Sequence, residues 1–456
     1  MEKFDIKKIK NKRVHFIGIG GISMSALAEM LLRFGALVQG SNECENTETK
    51  KLKKKGVLVF TQHSISNLKN AEIVVYSSAI KEDNEELEYA KRKGLVILKR
   101  AELLALIAEK YKNVISVAGS HGKTTAAAMI IEMFKKAKTK PTYHLGGILA
   151  SSKSNFEMGN KKFFITESCE YKDNYLYLKP DISVILNIDA DHLDYFGDIE
   201  GVKSSFLKFV GNTRDGGVNI ACIDDENSSE ILKLENTLSF GFSKKADMYA
   251  KNIKEYKNGY FSFDAMFLSY KLGNIKLNIF GKHNVLNALA CVLVGILCCV
   301  DFNDIKLAIE SYGGVKRRCE RVGEINNAEV YHDYAHHPEQ IKKMITIANE
   351  IKDRKGKVFV VFEPHTYSRT KALYDEFVMC FDGADKVILA PVYSAREKPI
   401  EGYDSLKLLN GLKGRVDAIL IENYKDILFE LKQQASAKDV IFILGAGSIE
   451  KMCSMI

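Results

Sequence analysis

Short apolar runs alternate with helix-length stretches along almost all of this chain, and that rhythm sets the first expectation. Residues 13–17, 37–40, 57–61, 73–76 and 96–98 read as strands. Helices are expected over 24–34 and, as an amphipathic element, over 100–111. Strand–helix alternation of this kind implies a parallel, doubly wound sheet. A second α/β unit starts at the strand 114–118, continues into a helix over 126–136, and has later strands at 163–167, 183–188 and 218–223. Residues 237–280 alternate apolar and polar positions between short turns, which predicts an antiparallel flank. A helix over 284–300 closes that unit. A third unit begins near Val315, with strands at 330–332, 358–362, 387–390, 418–421 and 440–444. No repeat of solenoid period is present. The expected architecture is three α/β domains in series, at 1–108, 109–314 and 315–456. The first and last are Rossmann-like, and the central one is of phosphate-loop type with a mostly parallel sheet.

Composition narrows the class. At 456 residues the chain is too long for one ordinary core. Its 46% hydrophobic and 27% charged content is that of a globular protein. The longest apolar stretch, 288–300, is too short to cross a bilayer, so no membrane segment is expected. The charged start, Met1 to Asp5, has no signal-peptide pattern. Nine cysteines lack C-x-x-C spacing, which suits neither a zinc site nor a disulfide framework and fits a reducing cytoplasm. The net charge of +8 is mostly lysine. With no basic arm or aromatic-interleaved patch, nucleic acid is not an expected partner. Arg317, Arg318 and Arg321 stand close together in a chain that otherwise uses lysine, as required where a planar fork grips phosphate or carboxylate.

The chemistry-bearing motifs lie where strands pass into helices. Gly119-Ser120-His121-Gly122-Lys123-Thr124-Thr125 follows the 114–118 run and opens a helix. Backbone N–H groups at such a turn face an anion, Lys123 can reach a β- or γ-phosphate, and the Thr124 hydroxyl can ligate Mg²⁺. Position 117 is Val, so the loop is two residues shorter than the common G-x-x-x-x-G-K-[ST] form. The reading is ATP binding; a glycine-rich turn with an incidental lysine is the alternative. Gly18-Ile19-Gly20-Gly21-Ile22-Ser23 resembles a dinucleotide fingerprint whose third glycine is Ser23, with Asn42 where an acidic ribose ligand would stand. A nucleotide diphosphate-sugar suits it better than NAD.

Glu167 ends one strand, and Asn187 to Asp194 follows another. Glu167 and His192 could meet near the phosphate loop and hold a divalent cation with Thr124, while Asp189, Asp191 and Asp194 compete as ligands preferred by Mg²⁺. Asn284 and Asn287 share one face of a helix start, where Asn284 could equally be a cap. Asp333-Tyr334-Ala335-His336-His337 and Glu363 to Arg369 follow two strands of one sheet. Their polar groups could converge on a small zwitterion and a phosphate. A histidine pair also suggests zinc, but no third ligand has suitable spacing.

Taken together, these motifs, with Ser77-Ser78-Ala79-Ile80 and Gly281 to Ala288, resemble the Mur ligase family nearly end to end. The resemblance implies an enzyme that joins L-alanine to the lactyl carboxylate of UDP-N-acetylmuramate through an acyl phosphate, using ATP and Mg²⁺. It implies a bacterial cytoplasmic protein, a monomer or weak homodimer, with domain closure over the reaction. Gly18, Gly20, Gly21, Ser23, Ser77 and Ser78 would hold the UDP-sugar. The loop 119–125 would hold ATP, with Asn284, Asn287, Arg318 and Asp333 around the nucleotide. Thr124, Glu167 and His192 would hold metal, and Tyr334, His336 and Arg369 would meet the amino acid. Lys123, Glu167, His192, Arg318 and Asp333 would carry the catalysis. Departures are Ser120 for a usual Thr, Asn42 for a frequent Asp, and Thr366 where some members carry arginine. The alternatives are a family relative that attaches recycled tripeptide, an NAD(P)-dependent oxidoreductase built on the first glycine-rich turn, and a nucleotide-binding scaffold without turnover.

Overall fold

The computed structural model describes residues 4–257, 259–395 and 397–456, without the Asp194 side chain. The charged start at 1–3 and the Asp194 carboxylate, both used in the sequence reading, therefore lie outside the description. The described residues are α/β and form three sheets. It divides into two compact units: 1–253 with 262–278 and 283–312, and 254–261 with 279–282 and 313–456.

In the first unit a five-stranded sheet has the order Leu58–Phe60, Leu37–Ser41, Arg13–Ile17, Ile73–Tyr76, Val96–Lys99. All four pairings are parallel. The strand order reverses direction between Arg13–Ile17 and Ile73–Tyr76, which is where open α/β sheets leave a crevice at their carboxyl ends. The glycine-rich turn at 18–21 and the turn at 77–80 leave those two strands side by side. A Cβ added to Gly18 would lie 3.4 Å from the Ile80 side chain.

A ten-stranded sheet is built around Asn113–Ala118, flanked in parallel by Phe163–Glu167 and Ile182–Ile185. Val114, Ile115, Val117 and Ala118 are fully buried, as expected of a strand covered on both faces. The expected antiparallel flank at 237–280 is only partly so. Thr237–Gly241 pairs in parallel with both its neighbours, and the antiparallel pairing is made by Tyr260–Phe267 and Tyr270–Lys276. Alternation of apolar residues reports one wet face but not strand direction. Two strands escape the hydrophobic pattern, Thr142–Leu149 and Ser154–Glu157, because glycine and polar residues interrupt them.

The element expected over 100–111 is not amphipathic. It runs Arg100–Ala108, and Ala101 and every residue from Leu103 to Ala108 are buried. One side chain cluster joins it to Phe16, Leu31, Tyr111, Val114 and Phe164, so the helix is core material between two sheets of the same unit.

The second unit carries a six-stranded sheet, in the order Glu320–Ile325, Ala328–Asp333, Val440–Leu444, Val358–Phe362, Lys386–Leu389, Asp417–Leu420. Its first strand is antiparallel and was absent from the sequence reading, since charged residues dominate it. Asp333 and Phe362 flank Leu444 in register, so the motifs that follow them leave the same end of the sheet.

Leu103→Ala removes a fully buried side chain from the inter-sheet helix. It is expected to lower unfolding free energy by about 2–5 kcal/mol in a urea titration. A loss below about 1 kcal/mol would mean that this helix is not core.

Candidate functional site

The phosphate loop is held in shape by its neighbours before any ligand arrives. Gly122 adopts φ +81° and caps the helix Lys123–Lys136, which begins at Lys123 rather than three residues later. A side chain at Gly122 would meet the Asn287 amide oxygen at 3.0 Å in a backbone region that favours glycine. The strand expected over 183–188 ends at Ile185, because the chain then leaves the sheet to wrap the loop. The Ser120 N–H donates to the Asn187 carbonyl at 3.1 Å. The His121 N–H donates to Asn187 Oδ1 at 2.8 Å, and Asn187 Nδ2 donates to the His121 carbonyl at 3.1 Å. The Asp189 N–H donates to Ser120 Oγ, and His121 Nε2 lies 3.0 Å from Asp189 Oδ2. Of the competing aspartates, Asp189 thus braces the loop. Thr125 offers its carbonyl to the Tyr312 hydroxyl at 3.4 Å. Asn284 and Asn287 are buried, and Asn287 Nδ2 donates to Asn284 Oδ1 at 2.8 Å, which places both amides on one face next to Gly122.

Lys123 curls over this loop. Its ammonium donates to the Gly119 and Ser120 carbonyls and meets the Glu170 carboxylate at 3.0 Å. Thr124 Oγ1 donates to Glu167 Oε2 at 2.5 Å, so the expected hydroxyl–carboxylate pair is present. His192, however, faces Glu170, at 3.8 Å from Nε2, and Asp191, at 3.8 Å from Nδ1. His192 thus meets Glu170 rather than Glu167 directly. His192 holds a left-handed backbone (φ 57°) at the start of the short Leu193–Phe196 helix, and this turns its ring toward Glu170. Glu170, Asp191 and His192 bring ligand atoms within 4.8 Å of one another, a second donor set that could hold a cation. Glu170 went unselected in the sequence because it lies in a loop, where no periodicity reports facing. Oxygen donors dominate both sets, which suits Mg²⁺.

In the glycine-rich turn, Asn42 faces inward rather than toward a ligand. Its Oδ1 accepts from the Gly20 N–H at 3.1 Å and its Nδ2 donates to the Cys44 carbonyl at 2.7 Å. A Cβ on Gly20 would come within 2.7 Å of that amide. The Gly21 N–H donates to the Gly18 carbonyl at 3.2 Å, closing the turn. Ser77 accepts from the Ala79 and Ile80 N–H groups, through Oγ and its carbonyl respectively, and Ser78 is exposed beside it. Ser23 Oγ meets His144 Nε2 at 2.9 Å and accepts from Arg100 at 3.4 Å. Burial, then the nearby charge of Arg100, pushes the His144 imidazole down to about 3.

The second unit gathers its own cluster. Asp333 accepts from the Cys319 and Ala335 N–H groups at 2.8 and 2.7 Å. Burial raises its pKa, opposed by the charge of Arg318 and by those N–H donors. Arg318 is exposed. Arg317 lies over the Tyr334 ring at 4.6 Å and pairs with Glu450. Arg321 pairs instead with Glu324 and Glu329 away from the cluster, so the arginine triplet does not act as one group. His336 Nδ1 lies 2.8 Å from the Tyr334 carbonyl, and its ring is 5.1 Å from the Tyr334 ring and 5.8 Å from that of His365. Arg369 Nη1 reaches His365 Nδ1 at 3.0 Å. Burial first, then Arg369 and the neighbouring histidines, pushes His336 down to about 4. A neutral imidazole, a phenol and a guanidinium thus converge, and His365 joins them unannounced by spacing.

Family models match three consecutive segments: residues 13–112 to the Mur ligase family catalytic domain, 117–295 to the Mur ligase middle domain, and 317–447 to the Mur ligase glutamate ligase domain. The chain belongs to the Mur ligase family. A curated relative from Acetivibrio thermocellus, named UDP-N-acetylmuramate–L-alanine ligase, is 43% identical over 450 residues, covering 98% of this chain and 96% of the relative. One of the same name from Caldicellulosiruptor saccharolyticus is 42% identical over 444 residues, covering 96% and 97%. The crystal structure of UDP-N-acetylmuramate–alanine ligase from Thermotoga maritima superposes with a TM-score of 0.79 at 28% identity, over 97% of each chain. A murein peptide ligase from Psychrobacter arcticus shares the fold, with a TM-score of 0.70 at 21% identity over 98% of each chain. In this Mur ligase the phosphate loop, Glu167 and His192 all fall within the middle-domain match.

The buried His144 generates a pH prediction. An unfolded histidine titrates near about 6.5, so below that pH the unfolded chain binds a proton that the native chain refuses. The resulting stability is present above about pH 6.5 and is lost as pH falls from there toward the folded value. His144→Gln should flatten the decline in unfolding free energy between about pH 6.5 and 4; the parent slope persisting in this variant would exclude His144 as its source.

Proposed function

We propose that this chain joins L-alanine to the lactyl carboxylate of UDP-N-acetylmuramate at the expense of ATP. The products are UDP-N-acetylmuramoyl-L-alanine, ADP and phosphate, and the step belongs to peptidoglycan precursor synthesis in the bacterial cytoplasm. The observation that carries the reading is end-to-end likeness, at 43% identity, to a ligase of that name. A phosphate loop with Lys123, Thr124 and Glu167 at hand agrees with it.

The chemistry requires a carboxylate oxygen to attack the γ-phosphorus of ATP, so two anions must be brought together. The N–H groups of the helix start at 122–125, since those of Ser120 and His121 go to Asn187, and the Lys123 ammonium offset that repulsion, and they do so best when fixed beforehand. Lys123 already reaches over the loop, and nucleotide phosphates would replace Glu170 and the loop carbonyls as its partners. Thr124, Glu167 and His192 would hold Mg²⁺, with Glu170 and Asp191 beside His192; the ion would supply charge neutralisation at the transferring phosphoryl group. ADP departs, leaving an acyl phosphate. The neutral amine of alanine then attacks the carbonyl carbon, the C–O bond to phosphate breaks, and the amine loses a proton.

The remaining assignments follow the chain. Residues 1–108 take the UDP-sugar through Gly18, Gly20, Gly21, Ser23, Ser77 and Ser78. Residues 109–314 take ATP, with Asn284 and Asn287 beside the loop. Residues 315–456 take alanine through Tyr334, His336 and Arg369, while Arg318 and Asp333 serve the adenine nucleotide. Arg369, half-buried and bonded to His365, is the fork that suits the alanine carboxylate.

The test is ADP release from protein, UDP-N-acetylmuramate, ATP, Mg²⁺ and one amino acceptor. L-alanine should support release far above that with murein tripeptide; the reverse preference would assign the chain to the recycling branch of the family. Lys123→Ala should leave less than about a hundredth of the turnover, by loss of a preorganised cation. Turnover near the parent rate would defeat the mechanism. His192→Ala should raise the Mg²⁺ concentration needed for half-maximal rate by about tenfold or more; an unaltered Mg²⁺ titration would strike it from the ligand set.

A further inference from the structure

Arg100 opens the Arg100–Ala108 helix at the carboxyl end of the Val96–Lys99 strand. Its guanidinium is partly buried, and burial lowers its pKa, opposed by the charge of Glu167 nearby. Among the described residues its side chain has one hydrogen bond, to Ser23 Oγ at 3.4 Å, and no carboxylate within ion-pair reach. A partly buried guanidinium with no carboxylate in ion-pair reach is placed to meet an anion that comes and goes.

The surroundings narrow which anion. Ser23 is the second residue of the Ile22–Arg33 helix, whose first N–H groups have no partner within the helix. The Gly20 and Gly21 N–H groups are already taken by Asn42 and the Gly18 carbonyl, so the donors left for a ligand lie at the helix start beside Ser23. Behind Ser23, His144 Nε2 meets the same hydroxyl at 2.9 Å, and its Nδ1 lies 3.5 Å from Thr166 Oγ1. His144 is fully enclosed and neutral, so Arg100 is the cation of this group. A helix start and a guanidinium fork that share one serine present donors from two directions. That arrangement suits tetrahedral phosphate oxygens more than a single planar carboxylate.

We propose that Arg100, oriented by Ser23 and braced by His144, grips the diphosphate of the nucleotide-sugar substrate. The inference deepens the functional reading above and rests on it. Ser23 and His144 act as positioning residues, and the polar chain Arg100–Ser23–His144–Thr166 ends next to Glu167. Seating of the diphosphate is thereby tied to the strand that carries a metal ligand.

The experiment is calorimetric titration of UDP, uridine and MgATP into the parent protein, Arg100→Met and Arg100→Lys, alongside steady-state kinetics. Arg100→Met should weaken UDP by about tenfold or more, as expected for a lost charge-assisted bond. Uridine and MgATP should bind as before, and the rise in KM for UDP-N-acetylmuramate should exceed the fall in kcat. Arg100→Lys keeps the charge without the fork and should lie between. UDP affinity unchanged in both variants would overturn the proposal. So would a collapse of kcat with UDP affinity intact, which would place the guanidinium on the lactyl carboxylate. If Arg100→Met does not fold, Arg100→Lys decides: parent-like UDP affinity in that variant overturns the proposal. A parent protein that binds UDP through Arg100 yet shows no alanine-dependent ADP release would defeat the functional reading and leave this inference standing.

Discussion

The shape of four residues, Gly119 to Gly122, constrains more of this molecule than any other feature. A phosphate loop works only if its N–H groups point at one place without reorganising when charge arrives. Here that shape is enforced from outside the loop. Asn187 clamps His121 with both ends of its amide, and the Asp189 N–H holds Ser120. Asn287 fills the space where a side chain on Gly122 would sit. The early end of the Ile182–Ile185 strand follows from the same demand, because a chain that stayed in the sheet could not reach over the loop. The central sheet is thus a means of delivering neighbours to one turn.

The same logic governs the charged groups. Lys123 and Glu170 form a pair whose carboxylate is buried and whose ammonium is half-buried. Such a pair gains little net stability, since desolvation of both charges offsets their attraction. Its value lies in keeping a cation charged and oriented at a place where anions must approach. In the helix Glu85–Arg92, Glu86 illustrates the structural counterpart. Burial opposes its charge, yet the His15 and His63 imidazoles beside it hold its carboxyl well below the usual range. Asn67 and Ser64 satisfy its other oxygen. That carboxylate is held by groups of the fold alone, whereas among the described residues the Arg100 side chain has one hydrogen bond, to Ser23.

Legibility from sequence followed this division. The three α/β sheets, the glycine-rich turns and the Lys123–Thr124 pair were readable, because apolar runs and glycine spacing report local backbone directly. Strand direction at 237–280 was not, since alternation is blind to it. The Thr142–Leu149 strand was also hidden, as polar and glycine residues broke its apolar run, and with it went His144. The Arg100 helix was misread as amphipathic because a helix between two sheets of one unit is covered on more sides than its pattern discloses. Glu170, Asn187 and His365 lie on loops. Their facing is set by tertiary contacts, which no period of 2 or 3.6 encodes. The arginine triplet shows the converse error: adjacency suggested one group, but Arg321 turned to surface carboxylates while Arg317 turned to Tyr334.

The net charge of +8 is carried largely by solvated lysines. Exposed lysines such as Lys51, Lys91 and Lys342 sit beside glutamates three or nine residues away and are screened by water and salt. Other cations are partly buried and bonded to polar groups of the chain: Lys123 over a loop, Arg100 beside Ser23, Arg369 against His365. In a low-dielectric setting a single fixed cation outweighs many solvated ones. That ordering also accounts for the neutral histidines, since His144 and His336 are each held uncharged by burial next to an arginine. An imidazolium there would repel the neighbouring guanidinium, so the fold keeps one charge in each place.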